Sequence, residues 1–114
     1  MFTTQTLMQR KVFGNFLPET RPLDYRRPEW QELNKGRERS VRLIVRAMLG
    51  VPSAHQGEND HAMWCFQFPD GALLVVHLYR GNAIDFAAKA VDEHEIAGAI
   101  DFLIDEVTAK LKTL

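Results

Sequence analysis

The sequence predicts an α+β fold. It is a two-layer domain ordered as helix, three-stranded antiparallel β-meander and helix, behind an extended N-terminal arm that can add an edge strand. Three observations predict it. An apolar stripe at helical spacing runs through residues 29–49, three short apolar runs separated by tight-turn residues fill 62–91, and a second helical stripe closes the chain. Helices gathered on one face of such a sheet make a two-layer domain. With 114 residues, 46% hydrophobic and 25% charged, the chain suits one core. Residues 1–28 form the arm and 29–114 the domain.

The arm begins with "TLMQRKVFGNFL" (residues 6–17), rich enough in Leu, Val and Phe for an edge strand, although Gly14-Asn15 interrupts it. "PETRPLDYRRP" follows, where Pro18, Pro22 and Pro28 force an extended path. Pro28 then stands where proline opens a helix, and Glu29 and Glu32 occupy the first turn, favoured by the dipole. The helix is expected over Glu29–Leu49, ending at Gly50, with Gly36 able to bend it or delay its start. "SAHQGENDH" reads as a polar loop.

The strands are "AMWCFQF", "ALLVVHLY" and "AIDFAAKAV". Pro69-Asp70-Gly71 between the first two suits a type I turn with glycine in the left-handed position. That loop pairs Phe68 with Ala72 and puts Trp64, Phe66, Leu74 and Val76 on one face. A second three-residue turn at "RGN" pairs Tyr79 with Ala83 and adds Ile84 and Phe86 to the same face. Hydrophobic consistency favours both registers. In the last helix Asp92 and Glu95 resemble a capping box, and Ile96, Ile100, Leu103, Ile104, Val107 and Leu111 form the buried stripe.

This order of elements resembles that of the double-stranded-RNA-binding domain, in topology alone and over roughly residues 29–112. That family carries a basic lysine cluster at the start of its last helix. Here the position reads "VDEHEIAGA", which is acidic, so the family is not assigned.

Charge is unevenly spread. Residues 1–50 hold ten Lys/Arg against five Asp/Glu, and residues 51–114 hold four against ten. The asymmetry suits an acidic partner, head-to-tail association or internal neutralisation. A single cysteine, Cys65, excludes an intrachain disulfide framework and fits a reducing cytoplasm. No apolar run approaches the ~18–20 residues of a membrane helix, and no secretory signal order is visible at the N-terminus.

On the first helix Lys35, Arg39, Arg42 and Arg46 fall within an arc of about 60°, opposite Trp30, Leu33, Val41, Ile44 and Met48. Arg26 and Arg27 can extend this ridge. Arginine there suits bidentate contacts with carboxylates or phosphates, although solvation alone also keeps an outer helix face charged.

The reverse face of the sheet carries Met63, Cys65, Leu73, Val75, His77, Tyr79, Asp85 and Ala87, too apolar to stand in water. The arm or a second subunit is expected to cover it. There His77 faces Asp85, with Cys65 diagonal to His77. Thiol, imidazole and carboxylate are the parts of a nucleophilic site, but neither an oxyanion hole nor a nucleophile elbow accompanies them. "HQGENDH" offers His55, Glu58, Asp60 and His61, yet their spacing matches no metal motif, and no glycine-rich phosphate loop is present. No metal or cofactor is expected. Phe102, beside Gly98 and Ala109 on the outer side of the last helix, and Tyr79 on the sheet are candidate contacts for a homodimer.

These readings rank a non-enzymatic interaction or regulatory module first, with the basic ridge against an acidic protein partner. Nucleic-acid binding through the same ridge is the alternative, where four phosphate contacts give a log–log salt slope of about −3.6. A small thiol- or histidine-dependent enzyme is the second alternative.

Overall fold

The turn at Pro69-Asp70-Gly71 fixes the frame of the sheet. Gly71 takes φ +88°, a left-handed conformation glycine enters without steric cost. Its N–H donates to the Phe68 carbonyl at 2.9 Å, and the Ala72 N–H donates to Asp70 Oδ1 at 2.9 Å. The Phe68 N–H then reaches the Ala72 carbonyl at 2.8 Å, so these two residues close the hairpin.

The computed structural model describes residues 2–14, 20–23, 35–56, 61–78, 85–89 and 94–113. In chain order the elements are α1 (Thr4–Met8), β1 (Lys11–Val12), β2 (Arg21–Pro22), α2 (Glu38–Leu49), β3 (Ala54–Gln56), β4 (His61–Gln67), β5 (Leu73–Leu78), β6 (Asp85–Lys89) and α3 (His94–Lys112). The sheet runs β1-β4-β5-β6-β2, and β3 also pairs with β4. Every pairing is antiparallel. The two meander hairpins keep the expected registers: Trp64 faces Val76, Phe66 faces Leu74, Val76 faces Phe86 and His77 faces Asp85. Tyr79, Ala83 and Ile84 lie outside the described residues, as do Asp92 and the "RGN" turn.

The arm contributes more than the single edge strand expected of it. Thr3 caps α1 reciprocally with Thr6: the Thr6 N–H donates to Thr3 Oγ1 at 3.1 Å and the Thr3 N–H to Thr6 Oγ1 at 2.7 Å. This capping box turns residues that looked strand-like into a short helix. Beyond it β1 adds to β4, with Lys11 facing Phe66, and β2 adds to β6, with Arg21 facing Ala88. The arm thus supplies a short strand to each edge of the meander, and two-residue outer strands are poor templates for pairing with another chain.

Two further expectations are corrected. The first long helix begins at Glu38 rather than Glu29. Gly36 takes φ +76° within a turn at Lys35-Gly36, which no helix can pass through, so Lys35 is not on the helix. Residues 29–34 lie outside the described set. The stretch read as loop after Val51-Pro52 opens with β3, where Ala54, His55 and Gln56 face Met63, Ala62 and His61. Only 57–60 of that stretch fall outside the description. The sequence pattern hid β3 because three residues cannot display an alternation.

One core lies between the sheet and the helices. It joins Trp64, Phe66, Leu74, Val76, Leu78 and Phe86 of the strands to Val41, Ile44, Val45 and Leu49 of α2. The α3 stripe of Ile96, Ile100, Leu103, Ile104, Val107 and Leu111 completes it, and Leu7 of α1 is fully buried with them. The reverse face is a second, smaller cluster of Met63, Cys65, Leu73, Val75 and Ala87, with Val12 and Ala54 packed against it. These residues are already buried within one chain, so the sheet needs no second subunit to keep them dry.

Candidate functional site

The outer surface of α2 is built by a helix whose inner side is fully committed to the core. Val41, Val45 and Leu49 are buried, and Ile44 lies at the margin of burial. At 100° per residue the direction opposite to these four falls between Arg39 and Leu43. Going around the helix, the order is Arg42, Arg46, Arg39, Leu43, spanning about 100°. Arg39 is exposed, while Arg42 and Arg46 are half-buried. Arginine stems cover apolar surface while their guanidinium groups stay in water. Arg42 is already engaged within the chain, which leaves Arg39 and Arg46 as the carriers of the ridge. Lys35 and Arg37 are exposed just before the helix. Arg26 and Arg27 lie outside the described residues.

The sequence pattern missed the middle of this surface. Leu43 is 62% exposed on the crest, with Val51 at 68% and Phe13 at 65% near the helix's C-terminal end. These are the large apolar side chains strongly exposed among the described residues. Lys11 ties the last two together. Its Nζ donates to the Val51 carbonyl at 2.9 Å and lies 5.6 Å from the Phe13 ring centroid. A signal was available: Leu43 stands next to Arg39 at the end of the cationic arc on the helical wheel.

The reverse-face constellation has the expected register. His77 faces Asp85 across β5 and β6, Met63 faces His77, and Cys65 faces Val75, one diagonal step from His77. His77 is 5% exposed and Cys65 is 2% exposed. The Cys65 N–H donates to Ser53 Oγ at 2.9 Å, which ties β4 to the approach to β3. A thiol held this deep, between Val12 and Val75 on neighbouring strands, is shielded from any substrate that does not first open the sheet.

The residues expected to self-associate are partly occupied within the chain. Phe102 is half-buried and packs on the main core, and Ala109 is exposed. A Cβ on Gly98 would stand 3.5 Å from the Phe2 ring. Phe2 in turn makes an edge-to-face contact with Phe68 at 6.0 Å between centroids, and Arg10 stacks over Phe68 at 5.4 Å. The arm's first residues therefore lie beside the small-residue site on α3. Tyr79 lies outside the described residues. Among the described residues no group of three or more His, Cys, Asp or Glu is placed to hold a metal ion, and no helix is long and apolar enough to cross a membrane.

No known protein family, curated protein or solved structure matches the chain, so its own geometry is the ground for a functional reading.

Proposed function

We propose that this protein is a small non-enzymatic interaction module of the cytoplasm that binds an acidic protein partner through the outer face of α2. The observation that carries this reading is the placement of Arg39 and Arg46, with Arg42 beside them, on the side of α2 turned away from its buried residues. Guanidinium groups in that position can take carboxylates in bidentate fashion without disturbing the core. Rim charges of this kind raise association rate and partner choice more than raw affinity.

The test is charge reversal. The triple variant Arg39→Glu, Arg42→Glu, Arg46→Glu should retain the wild-type circular dichroism and lose the partner captured by the wild-type protein. Capture of the same partner by both proteins would refute the reading. A titration with short DNA and RNA at low salt separates the nucleic-acid alternative: a steep salt-dependent shift, lost in the triple variant, would replace the acidic protein with a phosphate backbone.

A further inference from the structure

Two helices of opposite charge lie side by side on one surface. α2 and α3 pack against each other and against the same face of the sheet, so their outward sides turn to water together. On α2 that side carries Arg39, Leu43 and Ala47, all exposed. On α3 the stripe from Ile96 to Leu111 points inward, which turns Gly98, Ala109 and Phe102 outward. Asp101 and Asp105 border this strip on one side and Glu95 and Glu106 on the other. The lysines of α3, Lys110 and Lys112, are confined to its last turn. Arg42, Asp101 and Asp105 are already engaged within the chain. Asp105 nevertheless stays exposed, and a carboxylate has acceptor sites for about four hydrogen bonds.

The acid that the arginines of α2 call for is therefore carried by the neighbouring helix of the same chain, facing outward where its own α2 does not meet it. A two-fold axis along the seam between the helices lays α2 of one copy on α3 of the other, twice over. Leu43 and Ala47 then meet the strip of Gly98, Ala109 and Phe102, where small residues permit close approach. The arginines lie to one side of Leu43, and acids border both sides of the α3 strip, so cation meets carboxylate whichever sense the helices run. The alternative pairing of α2 on α2 sets Arg39 and Arg46 against their own equivalents, which like-charge repulsion disfavours. Size bounds the strength of the contact. The twelve residues of α2 extend about 18 Å, and two helices side by side are about 20 Å wide. That footprint is smaller than the roughly 800 Å² per partner of a stable complex, which makes the dimer weak and dependent on its charges.

We propose that the acidic partner of α2 is α3 of a second copy of this chain, in a two-fold dimer held by reciprocal α2–α3 contacts. Arg39 and Arg46 meet the carboxylates of α3, and Leu43 seats on its small-residue strip. This rests on the acidic-partner reading above and names that partner.

The experiment is sedimentation of the full chain, at concentrations up to about 1 mM. The wild-type protein should dimerise at about 20 mM salt, at least about tenfold more tightly than at about 500 mM, where exposed charges are screened within a few ångströms. Two charge variants locate the contact. Arg39→Glu with Arg46→Glu makes the α2 face acidic. Glu95→Arg with Ala109→Arg, both at exposed positions, makes the α3 face basic. Each variant alone should be monomeric, because its two faces then carry the same charge. An equimolar mixture of the two should dimerise again, since each altered face meets its complement on the other copy.

A wild-type protein that stays monomeric at low salt overturns the proposal. The acidic-partner reading outlives that result if the triple Arg→Glu variant still loses its captured partner. A dimer that survives either variant places the interface elsewhere and also overturns it. So does a mixture of folded variants that remains monomeric. Thermal unfolding of each variant checks the fold, and the salt dependence of the wild type needs no variant.

Discussion

Lys11 stands at the C-terminal end of α2, where its ammonium donates a hydrogen bond to the Leu49 carbonyl at 3.1 Å. The two residues are 38 positions apart, and a further bond to the Val51 carbonyl at 2.9 Å brings a second orphan acceptor under the same cation. Helix C-terminal carbonyls carry the negative end of the dipole and have no intrahelical partner, so a lysine from the arm satisfies both needs. The arm and the helix that bears the candidate site are joined at this point.

Replacing Lys11 by methionine keeps the stem and removes the cation. Stability should fall by about 1 kcal/mol, because the bonds are charge-assisted but partly open to water. Urea unfolding monitored by circular dichroism checks this. An unchanged midpoint would mean that water replaces the ammonium at no cost.

Trp64 closes the same helix end from below. It is fully buried, and its indole N–H donates to the Gly50 carbonyl at 3.1 Å. Trp64→Phe removes the donor and leaves a void in the main core, so a loss of about 2–3 kcal/mol is expected. Denaturant titration of the variant gives the value, and a loss under about 1 kcal/mol would show that the core re-closes around the smaller ring.

Gly98 lies on the exposed side of α3, where glycine weakens the helix. An alanine Cβ would meet the Phe2 ring at 3.5 Å, which is ordinary van der Waals contact. Gly98→Ala should therefore stabilise the protein by about 0.5–1 kcal/mol through helix propensity. Gly98→Leu should reverse the sign, because the larger side chain displaces Phe2 from its edge-to-face contact with Phe68. Paired thermal melts of the two variants read the difference directly.

Cys65 should resist alkylation. In the native protein a mild thiol reagent is expected to react at least about a hundredfold more slowly than in denaturant, since access requires opening of the sheet. Mass spectrometry of timed aliquots follows it. Rapid modification under native conditions would return the thiol and His77 to consideration as chemistry.

Much of the fold was legible because a strand's period of two leaves no freedom once a turn is fixed. Pro69-Asp70-Gly71 set the pairing of Phe68 with Ala72 and with it Trp64 opposite Val76 and Phe66 opposite Leu74, while Val76 opposite Phe86 matches the register expected of a second three-residue turn. The α3 stripe was equally readable, since its six apolar positions all land in the core. The short elements were not. β1, β2 and β3 are two or three residues long, too short for any pattern, and they exist because exposed edges of β4 and β6 offer unpaired backbone groups to whatever chain passes.

The candidate site divides in the same way. The sequence by itself determined that Arg39, Arg42 and Arg46 share a helix side, because 100° per residue requires it. Tertiary structure decided the rest: where α2 begins, that Lys35 drops off its face, and that Leu43 is left exposed on the outer side. The physical reason is that periodicity orders residues around one helix. Which of them meets water is set by what packs on the other side, and by a lysine 38 residues away that gathers the helix end.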